Sequence, residues 1–330
     1  MKRLFLLVMS LFLWFVIHAQ ENHFRFMFYN VENLFDTINH PEKRDDVFTP
    51  EGDYHWNGYK FNTKINHLYK AIMAVKQWKD LPLIGLCEVE NRKVIEQLLY
   101  KTPLFRYGYK IVHQDSPDER GIDVALLYQS EKMHLLASSF INITFPFDTT
   151  DRTRDILYAR LKTIQNDTLH IYINHWPSRY GGYMQTQAKR NYAASMLAQS
   201  VDTLLSKSPD AEVIIAGDLN DGPGDESIKK LIAQVNNTNL ISLPLNTDAS
   251  RGTLKYRSQW LHFDHIIVSE GLADDEGLTI AQSYLSTPEA DFLLMEDTRY
   301  QGVRPFRFLQ GPKYIGGYSD HLPVFIDIRN

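Results

Sequence analysis

Short apolar runs that stop on polar residues dominate the chain. "FRFMFYNV", "LPLIGLCEV", "YKIVHQ", "IDVALLY", "ILYARLKT", "LHIYINHW", "EVIIAGDL", "FDHIIVS" and "HLPVFIDI" have the lengths and the β-branched and aromatic content of strands. Helical spacing is confined to "TKINHLYKAIMAVKQW", to "RKVIEQLLYK", which Asn91 precedes as an N-cap, and to "MQTQAKRNYAASMLAQSVDTLLSK". The class is therefore α and β mixed, with strands in excess. "LKTIQNDTLHIYINHW" reads as two strands around a turn at Gln165-Asn166-Asp167, which predicts antiparallel pairing. Long irregular segments, 39–62 and 246–258, are expected to lie over a face of the core. No repeat, low-complexity tract or linker divides residues 20–330, so one domain is expected there.

The first 19 residues differ from the rest. Lys2 and Arg3 precede a 14-residue apolar run from Leu4 to Ile17, and small Ala19 follows in "HAQ". Such a run is short of the roughly 20 residues that a bilayer requires. It reads as an export signal over residues 1–19, giving a periplasmic or extracellular protein with no stable membrane anchor. Its removal takes the formal net charge from −5 to −7, because two cations leave with it. An acidic surface repels polyanions at long range, so a phosphate-bearing substrate needs local Arg and Lys or a bound cation. A lone Cys87 excludes disulfides and thiolate zinc sites.

Functional information concentrates where the apolar runs end. Six segments carry a residue that a core would not choose: Asn30, Glu88, His175, Asp218 with Asn220, Asp264, and Asp320 with His321. Singly, such residues are turn formers and caps. Gathered on one rim they would crowd four carboxylates, two amides and two imidazoles together, an arrangement that requires a cation. Oxygen donors predominate, and neither cysteines nor a paired-His helix is present for zinc. Mg2+, or Mn2+ in its place, is the expected cofactor, and metal-assisted attack of water on a phosphate ester is the expected reaction.

In this order, "YNVENLFDT", "GLCEVEN", "NHWPSR", "AGDLND", "FDHIIVS" and "SDHLPV" resemble the endonuclease/exonuclease/phosphatase superfamily. The resemblance implies a four-layer α/β sandwich, two mainly antiparallel β-sheets flanked by helices, with the site where strand ends meet. It makes Glu88 the principal metal ligand, with Asn30 beside it and Asp320 completing the shell. Asp218 would position or deprotonate the water, and Asn220 would hydrogen-bond a phosphoryl oxygen. His321, oriented by Asp264, would bind phosphate or act as general base, and His175 would stabilise developing charge or assist the leaving group. Arg154 matches a phosphate-contacting Arg of related nucleases. Glu90 departs from the deoxyribonuclease pattern, which has a DNA-contacting Arg there. Asp123 matches an acidic residue paired with the His175-like histidine, which would raise the His175 pKa.

Trp176, Arg179, Tyr180 and Tyr183 after His175, with Arg304, Arg307 and Lys313 before Asp320, suggest an aromatic and cationic substrate rim. The favoured reading is a secreted nuclease acting on the phosphodiester bonds of nucleic acid, with no protein partner. A sphingomyelinase-type enzyme, for which "INITFPFDTT" could form a membrane-contacting hairpin, a small-molecule phosphatase and a non-catalytic binding protein are the alternatives.

Overall fold

The computed structural model describes residues 23–235, 239–246, 251–274 and 277–329. The segment expected to be an export signal lies outside the described residues, and among these no helix is long and apolar enough to cross a membrane. Two six-stranded sheets form the centre. We number their strands β1 (Phe24–Leu34), β2 (Asp80–Val89), β3 (Tyr109–His113), β4 (Asp123–Gln129), β5 (Met133–Ile141), β6 (Ile156–Thr163), β7 (Thr168–His175), β8 (Glu212–Asp218), β9 (Leu240–Ser242), β10 (Asp264–Ser269), β11 (Thr279–Ile280) and β12 (Val324–Arg329). The first sheet runs β11-β12-β1-β2-β4-β3 and the second β5-β6-β7-β8-β10-β9.

Each sheet is antiparallel except for one parallel pair, β1 with β2 and β7 with β8. A parallel pair needs a crossover, and a helix supplies each: α1 (Gly58–Lys76) and α3 (Tyr183–Leu205). Helices α2 (Arg92–Tyr100) and α4 (Glu226–Ala233) complete the outer layers. Asn57 caps α1 by accepting the Lys60 N–H, so the helix begins within the segment expected to be irregular. Residues 254–261 likewise form a short hairpin.

Strand alternation explains why the apolar runs are continuous. Phe26 and Phe28 face the second sheet, while Met27 and Tyr29 face α1 and α2. On β8, Ile214 and Ala216 point between the sheets, and Val213 and Ile215 point to α3 and α4. Both faces of the central strands are buried, and each Leu or Ile so enclosed contributes about 1.5–3 kcal/mol. The sheets approach closely at Gly85, where a Cβ would stand 2.6 Å from Ile173 Cδ1.

Candidate active site

Topology brings the polar strand ends together. Parallel strands β1, β2, β7 and β8 contribute their C-terminal ends, and their antiparallel neighbours β10 and β12 contribute their N-terminal ends to the same edge. His175 and Asp264 both pair in register with Asp218, giving three side chains in a row across β7, β8 and β10. The opposite sheet supplies Asn30 and Glu88, with Asp320 and His321 just before β12.

Ladder irregularities re-aim the second set. Pairing of β1 with β2 shifts between Asn30 and Leu34, and pairing of β2 with β4 shifts between Cys87 and Val89. Glu32, Asn33, Glu88 and Asn220 all have left-handed backbones, with φ between 50° and 62°. Such conformations cost roughly 1 kcal/mol or more for non-glycine residues and persist where surrounding structure holds them. Their clustering here marks a rim whose side-chain directions are set against local preference.

Asp218 is the hub. Its Oδ2 accepts the Asn30 amide at 3.0 Å and lies 3.7 Å from Nε2 of both His175 and His321, while its Oδ1 accepts the Asn220 N–H at 3.0 Å. Glu88 Oε2 accepts the Asn33 N–H at 2.9 Å, and Oε1 lies 3.5 Å from the Asn30 amide nitrogen and 3.8 Å from His175 Nε2. His321 Nδ1 is 2.7 Å from Asp264 Oδ2. One ligand atom each from Asp218, Asp264 and His321 lies within 4.8 Å of the others. Arg307 bridges Glu32 and Asp320, at 3.2 Å and 3.0 Å.

Burial decides the charges. It pushes the Asp218 carboxyl up to about 7, with Asp264 adding to the shift and His321 opposing it. His321 moves oppositely: burial disfavours its charge, yet Asp264 and Asp218 reverse this and hold it protonated well above the ordinary histidine range. Burial, with Arg154, Arg120 and His321 nearby, keeps His175 neutral. Burial also raises Asp320, but Arg307, His321 and Lys64 outweigh it and leave the carboxylate below its usual value. Glu32 is pushed up to about 8 by burial and by Asp320.

The model of the endonuclease/exonuclease/phosphatase family matches residues 25–330. The chain belongs to that family. No curated protein matches it by sequence. Solved structures share the fold of this family member at low identity. A family protein from Bacteroides thetaiotaomicron aligns with a TM-score of 0.58 and 14% identity, over 94% of this chain and 96% of that one. The mannosyl-6-phosphatase of B. thetaiotaomicron VPI-5482 aligns at 0.57 and 14%, over 92% and 99%. D. rerio TDP2 complexed with single strand DNA product aligns at 0.56 and 15%, over 93% and 99%.

Several side chains of this family member stand differently from the sequence expectation. Asn30 turns its amide nitrogen to the carboxylates and donates to Asp218 at 3.0 Å, while its oxygen accepts the Glu32 N–H at 2.9 Å. Asn220 donates its side-chain amide to the Trp176 carbonyl at 3.0 Å. Trp176 is fully buried against α3 and α4, which removes it from any stacking surface. Arg154 is buried too, donating to the His175 and Trp176 carbonyls and to Asp118, so its guanidinium braces the loop after β7 in place of contacting substrate. Arg179 is held by the Asn220 carbonyl, Asp221 and Asp225, and its guanidinium stacks on Tyr183 and Phe263. It steadies the "GDLND" segment. Glu90 accepts the Asp36 N–H and so anchors the exit from β1. In "INITFPFDTT", Ile143 and Phe145 are buried and only Phe147 is an exposed large hydrophobic, packed edge-on against Tyr192, too little apolar surface for the membrane-contacting hairpin considered from sequence.

Asp123 does not pair with His175. Its Oδ1 accepts the Ser116 N–H at 2.8 Å and its Oδ2 lies 3.2 Å from His113 Nε2, the neighbour that β3 brings alongside β4. The proposed elevation of the His175 pKa falls with that pairing. Asp123→Asn is accordingly expected to change turnover by less than about threefold while lowering stability by about 1 kcal/mol, the usual scale of one lost intramolecular contact. Melting curves and rates on the same samples check this. A large loss of turnover with unaltered melting would restore a catalytic role to Asp123.

Glu32, Arg120 and His113 belong to the site or its supports and were not foreseen as such, while Arg307, expected on a substrate rim, is paired with Glu32 and Asp320. The charge of Glu32 inside "FYNVENL" was the one available signal for it.

Proposed function

We propose that residues 20–330 form an exported, divalent-metal-dependent phosphodiesterase acting on nucleic acid. The convergence of Glu88, Asp218, Asp264 and Asp320 with His175 and His321 on one sheet edge carries this reading. Oxygen donors of this kind suit a hard cation, Mg2+ or Mn2+, which Glu88 and Asp320 would hold with Asn30 beside them. When bound, the cation supplies positive charge to the phosphoryl oxygens and lowers the cost of crowding these carboxylates. Asp218, fixed by the Asn30 and Asn220 N–H groups and titrating near neutrality, takes the proton of the attacking water. His321, charged and oriented by Asp264, faces the phosphoryl oxygens as a fixed cation, which favours phosphate binding over the role of base. His175, neutral, offers a ring N–H toward the leaving oxygen.

Support for nucleic acid comes from TDP2, whose structure holds a single-strand DNA product. The mannosyl-6-phosphatase, equally similar in fold, favours a second reading, hydrolysis of a phosphorylated sugar. Incubation of the mature protein with single-stranded DNA, duplex DNA, RNA, sphingomyelin and phosphorylated sugars, with and without Mg2+, separates them. Metal-dependent cleavage of a nucleic acid is the expected result; turnover of sugar phosphates alone would replace the first reading with the second.

A further inference from the structure

A pocket of about 290 Å3 adjoins the rim on the side of Glu88 and His175. Loops before β4 and β6 wall it, together with the "WPSRY" loop after β7. Its volume lies at the small end of ligand sites, suited to one nucleotide-sized group. Cations outnumber carboxylates in its walls although the whole protein carries a formal net charge of −5. Three of them are already neutralised: Arg44 by Glu119, Arg154 by Asp118, and Lys189 by Asp148 and Asp151.

The other two are less fully engaged. The exposed Arg152 guanidinium donates only to the carbonyls of Thr149 and Asp151, through a single nitrogen. Arg120 donates to Asn33 Oδ1 at 2.6 Å and stands 3.8 Å from Glu88 Oε2, so one side chain belongs to both the pocket and the rim. Tyr180, 93% exposed, sits at the mouth with its ring open to solvent. A half-exposed Arg120 that a carboxylate reaches only at 3.8 Å and an Arg152 with no carboxylate partner, beside an exposed aromatic ring, match a phosphate carrying a base, since guanidinium groups bind phosphate in a two-pronged fashion and rings stack on bases without regard to sequence.

We propose that this pocket is a second phosphoryl subsite, taking the phosphate next to the scissile one in an oligonucleotide, with Arg120 and Arg152 on the phosphate and Tyr180 against the adjoining base. The inference rests on the phosphodiesterase reading and deepens it. It makes the preferred substrate one with at least two phosphates, and a lone phosphomonoester a poor one.

The test compares a dinucleotide having only its internal phosphodiester with the same dinucleotide bearing a terminal phosphate at one end or the other. Wild-type protein should favour one of the phosphorylated forms by about tenfold in kcat/KM, chiefly through KM, the scale of one charge-assisted contact. Arg152→Gln should bring that ratio close to one, and Tyr180→Ala should weaken binding of both forms. Calorimetric titration of the same dinucleotides into Glu88→Gln protein reads the preference without turnover. A binding preference in Glu88→Gln protein together with no hydrolysis of any dinucleotide by wild-type protein in Mg2+ would sink the phosphodiesterase reading and leave the subsite standing. Equal affinities in wild type, a ratio that survives Arg152→Gln, or a preference shown only for sugar bisphosphates over monophosphates would overturn the subsite.

Discussion

Glu88→Gln is expected to reduce kcat/KM by more than about 10²-fold, beyond what loss of a mere supporting contact to a metal site costs. Its carboxylate is fixed by the Asn33 N–H on one oxygen, whereas the other has only the Asn30 amide at 3.5 Å and His175 at 3.8 Å. That second oxygen faces the rim with no short partner. A neutral amide keeps the shape, and the left-handed backbone at φ 62° is no harder for Gln than for Glu. What disappears is the charge that draws a hard cation into an otherwise acidic cluster. Activity should therefore fall with little change in melting temperature, and the Mg2+ concentration at half-maximal rate should rise. Titration of Mn2+ into both proteins measures the same loss directly. Wild-type protein that keeps full turnover after chelation and dialysis would end the metal reading.

The strand ends were legible because chemistry and periodicity conflict there. An apolar run that stops on Glu88 or Asp218 announces a place where burial and charge must be reconciled, and parallel and antiparallel ends then meet on one edge. Side-chain direction beyond those ends was not legible. Trp176 follows His175, yet its N–H pairs with the Asp218 carbonyl, the chain stays in the sheet for another residue, and the indole turns into the core. Arg154 and Arg179 look like free cations in sequence, but both lie beside unpaired loop carbonyls that only the fold creates. Asp123 shows why an inward charge predicts a partner without naming it: His113 on the adjacent strand reaches it before His175 can. Arg307 is the opposite case, a rim residue whose two carboxylate partners come from the beginning and the end of the chain.

Asp218→Asn is expected to lower turnover by roughly 10²-fold or more, the scale for a positioned base, while costing little stability near neutral pH. Asp218 accepts the Asn30 amide on Oδ2 and the Asn220 N–H on Oδ1, so asparagine keeps one of these bonds and turns its NH2 toward the other donor, a loss of about 1–3 kcal/mol that relief of the buried charge offsets near neutral pH. The charge itself is costly: burial and Asp264 raise the folded-state pKa to about 7 even though His321 opposes them. A carboxyl that binds its proton more tightly when folded loses stability as pH rises, from its unfolded value near 4 up to its folded one. Asparagine carries no such dependence. In the presence of a chelator, the melting temperature of Asp218→Asn relative to wild type should therefore climb between about pH 4 and pH 7 and level off above. This separates a catalytic carboxylate from a turn cap, whose loss would lower stability by about 1 kcal/mol and spare turnover. A variant that melts earlier at every pH yet turns over normally would show Asp218 to be structural. One that is inactive with the rising difference in melting would show that the fold keeps, at its edge, a charge that stability alone would discard.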